Sequence, residues 1–283
     1  MIRIAIQSKG RLTEDCCNLL SDAGLDIDAQ RRKFLAQVSN FPIEILYLRD
    51  DDIPGVVADG SADIGIVGYN ELVESGAQAS IERKLGFGRC RLSLAIPKGV
   101  TDDSLSFFQG KSIATSYPKI LQRYLDDNKI EAEIRVIKGS VEIAPAAGIA
   151  DGIFDIVSSG GTLVSNGLKE VIRVMESEAV LISHPALSEE KRAILDDLLF
   201  RIDAVINSRG KKYILLNIPA DKTEEAVKIL PALRSPTIMP LANSNWCSLH
   251  SVVKESELWE KIGLLKQLGA EGILVLDLDK VII

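Results

Sequence analysis

Residues 158–162, Ser-Ser-Gly-Gly-Thr, carry the residue types of a phosphate cup. Small residues let backbone N–H groups crowd around an oxyanion, and the hydroxyls of Ser158, Ser159 and Thr162 add donors. A helix expected to begin near Leu163 would add the positive end of its dipole. The same composition also makes an ordinary turn around Gly160 and Gly161. Glu142, Asp151 and Asp155 lie on the same segment and offer carboxylates to sugar hydroxyls, a natural companion to a 5'-phosphate.

A second cluster, Lys9-Gly10-Arg11, falls between a strand and a helix start, where two cations and a Gly-opened backbone suit a polyphosphate. Arg49 adds a positive group at the end of another strand. It leads into Asp50-Asp51-Asp52-Ile53-Pro54, which reads equally as an acidic helix start and as a contact for Mg²⁺ or polar substrate. Thr115-Ser116-Tyr117-Pro118 repeats the geometry, as a third donor cluster or as a helix cap with Pro118 in the first turn. Arg31-Arg32-Lys33 is a solvated basic turn or a loop reaching for phosphate. His184 and His250 are the only histidines, which argues against a histidine triad or a multi-histidine metal site. Cys16, Cys17, Cys90 and Cys247 form neither a disulfide framework nor a zinc pattern and read as reduced thiols.

Short apolar strands alternating with helical stretches must position these groups, an α/β signature. Strands are expected at 2–7, 43–48, 64–67, 92–96, 112–115, 134–137 and 153–157, with a helix capped by Thr13 and ending at Gly24. Residues 57–64, Val-Ala-Asp-Gly-Ser-Ala-Asp-Ile, are echoed by 149–156, Ile-Ala-Asp-Gly-Ile-Phe-Asp-Ile. Asp59 and Asp151, like Asp63 and Asp155, are 92 residues apart, which implies two similar lobes with a cleft between them. A helix at 188–207 leads into strand 212–218, helix 221–230, strands 237–241 and 246–253, helix 255–268 and strand 272–276. That βαββαβ order is ferredoxin-like. The 283 residues are 46% hydrophobic and 26% charged, a globular mix, and the net charge of −7 disfavours a nucleic-acid surface. No apolar run approaches the ~18–20 residues of a membrane span, and the polar turn of the N-terminus fits no export signal, so a cytoplasmic location is expected.

Taken in order, Ser8-Lys9-Gly10-Arg11-Leu12, Leu48-Arg49-Asp50-Asp51-Asp52-Ile53-Pro54, Asp63-Ile64-Gly65-Ile66-Val67-Gly68, Cys90-Arg91-Leu92-Ser93-Leu94-Ala95, Ile113-Ala114-Thr115-Ser116-Tyr117-Pro118, the segment 142–163 and Ser235-Pro236-Thr237-Ile238 closely resemble the long form of the ATP phosphoribosyltransferase family. The resemblance covers essentially the whole chain. It implies two periplasmic-binding-protein-like catalytic lobes, residues 1–92 with 178–207 and residues 93–177, followed by a regulatory ACT-like domain at 208–283. It also implies transfer of a phosphoribosyl group from phosphoribosyl pyrophosphate to N1 of ATP, dependent on Mg²⁺ bound mainly through substrate phosphates. Histidine inhibition and a homo-oligomer, dimer to hexamer, come with it.

By the same resemblance, Lys9, Gly10, Arg11, Arg49 and Ser158, Ser159, Gly160, Gly161 and Thr162 bind phosphoribosyl pyrophosphate. Glu142, Asp151 and Asp155 serve the ribose hydroxyls or the developing positive charge. Asp51, Gly68, Tyr69, Asn70, Glu71, Thr115, Ser116 and Tyr117 fall on the ATP side, and Asn217, Thr237 and Gly272 near histidine. The competing reading is a two-lobed small-molecule binding protein without catalysis.

Overall fold

The computed structural model describes residues 1–27, 35–230, 233–242 and 245–283, with Arg11 through its backbone alone. Arg31, Arg32 and Lys33 lie outside the described residues. The chain divides into two compact units, Met1–Asp197 and Leu198–Ile283.

The first unit contains two sheets. One is assembled from β1 (Ile2–Gln7), β2 (Leu35–Gln37), β3 (Ile43–Leu48), β4 (Ile64–Gly68), β5 (Ser80–Lys84) and β11 (Ala179–Ser183), in the order β2-β3-β1-β4-β11-β5. Strands β3, β1 and β4 are parallel, and their almost continuous apolar runs suit strands covered on both faces. Helices α1 (Arg11–Asp22), α2 (Ile53–Ala58) and α3 (Tyr69–Ser75) follow these three strands, and Ile53, Val57 and Leu72 pack with Ala5, Val67, Val180 and Ile182. Gly10, not Thr13, precedes the first turn of α1, and the Thr13 hydroxyl is buried without a protein partner.

The other sheet has the order β10-β6-β9-β7-β8, from β6 (Cys90–Pro97), β7 (Ser112–Thr115), β8 (Glu133–Val136), β9 (Gly152–Val157) and β10 (Leu168–Ser177). Here β8, β7 and β9 are parallel, while β6 runs antiparallel to β9 and β10. Helix α4 (Pro118–Asp127) starts at its proline as expected, and α5 (Gly161–Ser165) follows β9. Phe108 and Phe154, both fully buried, fill the core with Leu92, Leu94, Ile113 and Leu121. The chain passes between the sheets twice, at 85–89 and at Glu178, and the two crossings are paired through Leu85 N–H to Ala179 O and Ala179 N–H to Phe87 O. Because β6 begins at Cys90, residues 90–92 pair within the second sheet. This is the two-lobed periplasmic-binding-protein-like architecture, with each lobe built around its own sheet.

The lobes repeat, but not in the register that the Asp-Gly echo implies. Asp63, just before β4, accepts the Arg3 N–H at 2.8 Å and returns its own N–H to Arg3 O at 3.0 Å. Asp151, just before β9, does the same with Ser112, at 2.9 Å in both directions. Each carboxylate also meets a lysine, Lys191 for Asp63 and Lys111 for Asp151. Asp63 therefore corresponds to Asp151, and the strand starts Ile64 and Gly152 lie 88 residues apart. The helix starts Tyr69 and Gly161 lie 92 apart, so the second lobe carries four extra residues between the two points.

Helix α6 (Glu189–Ser208) contains the division between the units. The second unit continues with β12 (Lys211–Pro219), α7 (Thr223–Ile229), β13 (Thr237–Pro240), β14 (Trp246–Lys254), α8 (Leu258–Gln267) and β15 (Glu271–Asp277). Its antiparallel order β13-β14-β12-β15 is the ferredoxin-like arrangement, with Ile214, Leu216, Ile218, Leu249 and Leu265 in the core.

Candidate functional site

In α/β sheets, ligands bind beyond the carboxyl ends of parallel strands, where helix starts and loops present unpaired N–H groups. In the first lobe those ends carry residues 8–10 after β1, 49–52 after β3 and Gly68 before α3. Gln7 ties two of them together, donating from Nε2 to Asp50 Oδ2 at 3.1 Å. Gly10 lies beside this amide with φ 132°, a dihedral that favours glycine, and a Cβ there would come within 2.8 Å of Gln7 Oε1 and displace the amide. Lys9 is exposed beside it, and Arg49 is exposed with Asp51 as its ion-pair partner at 3.3 Å. The Arg11 side chain lies outside what is described.

The two lobes meet at α3 and the start of α4. Tyr117 donates its hydroxyl hydrogen to Glu71 Oε1 at 2.8 Å, and the buried Asn70 side chain donates to both Glu71 and Tyr117. Ser177, at the second crossing, donates to Asn70 Oδ1 at 2.7 Å and accepts the Asn70 N–H. Glu74 accepts the Lys119 and Ile120 N–H groups, both at 3.0 Å, so a carboxylate from one lobe caps a helix of the other. Burial pushes the Glu71 carboxyl above its ordinary range, with help from Asp50, Asp51 and Glu74. The Tyr117 phenol is raised by burial and by Glu71, Asp155 and Asp50, so carboxylates from both lobes share one electrostatic neighbourhood.

On the second lobe, β9 ends at Val157 and opens into Ser158, Ser159 and Gly160, whose φ of 82° provides the left-handed turn into α5. Ser158, Ser159, Gly161 and Thr162 are exposed, and the Ser159 hydroxyl accepts the Gly161 N–H at 3.4 Å. Asp155, three residues before the loop, is pushed up to about 6, first by burial and then by the nearby Glu142 carboxylate. Glu142 stands on a short 3-10 turn, Val141–Ile143.

Asp151 stands elsewhere. It precedes β9, so roughly 20 Å of extended strand separates it from the loop at the other end. Its carboxylate is committed to the Ser112 N–H and hydroxyl, both at 2.9 Å, and to Lys111. The assignment of Asp151 to the ribose is therefore corrected: it staples β7 to β9. The Thr115 hydroxyl accepts the Tyr117 N–H and the Ser116 hydroxyl donates to Ile137 O, so both shape the turn into α4. Tyr69 gives its N–H to Glu178 O beside the crossing, and Gly68 ends β4. Sequence reasoning missed Glu74 and Ser177 as parts of this neighbourhood. Their partners lie 45 or more residues away for Glu74 and 107 for Ser177, where no local pattern reaches.

In the second unit, Asn217 and Gly272 are brought together: a Cβ on Gly272 would approach Asn217 Nδ2 to 3.1 Å. Thr237 is on β13, separated from β12 by β14 and thus by roughly 10 Å. It lines a different feature, a cavity of ≈ 490 Å³, with Tyr213, His250 and Ser235. There the Tyr213 hydroxyl and His250 Nδ1 are 2.7 Å apart.

Among the described residues, no three His, Cys, Asp or Glu side chains gather as a metal cage. The donors present, Asp50, Asp51, Asp155 and Glu142, are the hard oxygen ligands that suit a cation completing its shell with phosphate oxygens. No helix among the described residues is long and apolar enough to cross a membrane.

The family model for ATP phosphoribosyltransferase (HisG) matches residues 49–204, and the model for the HisG C-terminal domain matches 208–280. The chain is similar over its full 283 residues, and over the full length of each relative, to ATP phosphoribosyltransferases of Bacteroides fragilis, at 56% identity, and Phocaeicola vulgatus, at 57%. It also resembles a chain in the solved ATP phosphoribosyl transferase (HisG:HisZ) complex from Thermotoga maritima, with a TM-score of 0.62 and 30% identity over 71% of this chain and 98% of that one. With both family models matched in order and full-length relatives above half identity, the chain belongs to the ATP phosphoribosyltransferase family, the pentosyltransferases that open histidine biosynthesis.

Proposed function

We propose that the chain joins N1 of ATP to the anomeric carbon of phosphoribosyl pyrophosphate in the cleft between the two carboxyl edges, releasing pyrophosphate. The observation that carries this reading is that Tyr117 of one lobe bonds Glu71 of the other and shares an electrostatic neighbourhood with Asp155, three residues before the Ser-Ser-Gly-Gly-Thr loop, and with Asp50, next to Arg49. Residues 158–162 hold the 5'-phosphate, and Lys9, Gly10, Arg11 and Arg49 hold the pyrophosphate. Asp51, residues 68–71 and residues 115–117 form the adenine nucleotide side.

Adenine N1 already carries its lone pair, so the reaction needs no strong base. The C1–O bond to pyrophosphate breaks as the N1–C1 bond forms, and positive charge develops on the ribose. Positioning and electrostatics carry the rate. Asp155 and Glu142 face that charge or the ribose hydroxyls, and the raised Asp155 carboxyl is ionised above about pH 6. Mg²⁺, held by substrate phosphates with Asp155, Glu142, Asp50 or Asp51 completing its shell, would neutralise charge on the leaving group.

The ACT-like unit serves as a histidine sensor, with Asn217 and Gly272 as one contact pair and Thr237 as a separate one. Inhibition requires histidine to favour one arrangement of a homo-oligomer over another. A cytoplasmic location fits a biosynthetic enzyme.

The test is to mix the purified protein with ATP, phosphoribosyl pyrophosphate, Mg²⁺ and pyrophosphatase, and to follow phosphoribosyl-ATP by ultraviolet absorbance with and without histidine. Product suppressed by histidine is expected. A folded protein that binds both substrates without turnover would leave a two-lobed binding protein as the answer. Truncation after Asn207 is expected to abolish histidine binding in calorimetry, and retained binding would put the sensor in the lobes.

A further inference from the structure

We propose that Arg91, held by Glu170 and Ser93, is a positioning residue that sets the entry of the phosphate loop for phosphoribosyl pyrophosphate. This deepens the phosphate-cup reading of residues 158–162 and rests on it. Arg91 and Ser93 belong to the Cys90-Arg91-Leu92-Ser93 motif, for which the reaction as described has no use. In the antiparallel register of β6 and β9, Arg91 stands opposite Val157, the last residue of the strand, and Ser93 stands opposite Asp155. The next residue after Val157 is Ser158, where the loop begins.

The guanidinium is gripped from the far side. Arg91 Nε donates to Glu170 Oε1 at 2.6 Å and Nη2 to Oε2 at 2.5 Å, a two-point fork that fixes the plane of the group. Ser93 donates its hydroxyl to the same Oε1 at 2.8 Å, which fixes the carboxylate in turn. The remaining arm, Nη1, donates to the Ser158 carbonyl at 2.9 Å. Three strands, β10, β6 and β9, thus converge on one backbone oxygen.

A loop of small residues loses conformational freedom when it closes on a phosphate, and that loss subtracts from affinity. Tying its first carbonyl to a rigid fork removes part of the loss before the ligand arrives. Arg91 acts through Ser158 without being asked to touch the phosphate, so its effect falls on phosphoribosyl pyrophosphate and spares ATP.

The experiment measures dissociation constants for phosphoribosyl pyrophosphate and for ATP separately by calorimetry, with KM and kcat alongside. The variants are Arg91→Met, Arg91→Lys and Glu170→Gln, with Thr162→Val as the reference for the cup. Arg91→Met is expected to weaken phosphoribosyl pyrophosphate binding about tenfold, with ATP binding changed less than about twofold. Arg91→Lys, which keeps a donor for Ser158 but loses the fork, is expected to fall in between, and Glu170→Gln to act in the same direction with a smaller factor. Unaltered phosphoribosyl pyrophosphate affinity in Arg91→Met, with Thr162→Val weakened, overturns the proposal alone. Unaltered affinity in both overturns the cup reading and the proposal with it. An equal loss for both substrates with a lowered melting temperature makes Arg91 merely structural and also overturns it. Should Arg91→Met fail to fold, Glu170→Gln decides by the same split between the two substrates.

Discussion

At their amino edges the two lobes are built alike, and at their carboxyl edges they differ. Asp63 and Asp151 each exchange two hydrogen bonds with the neighbouring strand and meet a lysine. At the other end, β4 runs directly into α3 at Tyr69, whereas β9 reaches α5 only after Ser158, Ser159 and Gly160. The four residues by which the second lobe is longer thus include Ser158, Ser159 and Gly160, the first three of the candidate phosphate loop. The duplicated backbone bonding is kept at one edge, and the duplication breaks at the other, where the proposed site lies.

The sharpest way to break this comparison is to change the second lobe's two aspartates separately. Asp155→Asn is expected to lower kcat/KM by roughly 10²-fold, the scale of a lost electrostatic contact in a transition state. The same variant should be more stable at neutral pH. The Asp155 carboxyl, pushed up to about 6 by burial, binds its proton more tightly folded than unfolded. Its favourable contribution is complete below about pH 4 and is lost as pH rises through about 6. Melting curves should therefore show Asp155→Asn gaining ~2–3 kcal/mol at pH 8 and nothing at pH 4. A loss of stability at pH 8 would make Asp155 a structural residue.

The amino-edge staples should respond in the opposite sense. Asp63→Asn is expected to cost about 2 kcal/mol, because its carboxylate is only 10% exposed, and Asp151→Asn about 1 kcal/mol, with kcat little changed in either. The Ser112 N–H leads the groups that hold the Asp151 carboxyl below its ordinary range. Its contribution is present above about pH 4 and fades as pH falls through the lowered value, so the gap between Asp151→Asn and the parent should close in acid. A large drop in kcat for Asp151→Asn would return that residue to the active site. Smallest is Glu74→Ala, expected to cost about 0.5 kcal/mol of stability in denaturant titration by uncapping α4.

The contrast between the lobes also marks what was legible in advance. The turn at 158–160 between β9 and α5 was readable because its composition is local. The staples were not, since Asp151 finds Ser112 39 residues away. The tripeptide Ala-Asp-Gly misled: residues 58–60 end a helix, while 150–152 start a strand, so matching letters aligned unlike positions. Strand β10 escaped notice for a related reason. Its apolar residues, Leu168, Val171, Ile172, Val174 and Met175, follow a helix-like spacing because two irregularities in its pairing with β6 shift the alternation. The C-terminal βαββαβ order was fully legible, since its apolar strand runs are set apart by charged, helix-length segments.

The capping of α4 by Glu74 of α3 also bears on a timescale. For the lobes to part at α3 and α4, the Lys119 and Ile120 N–H groups must leave that carboxylate together, and Tyr117 must leave Glu71. Bonds that break together make opening an activated event rather than a drift, slower than the movement of an exposed loop. Were lobe opening the slow step of turnover, a helix cap rather than the bond that is made would set its pace.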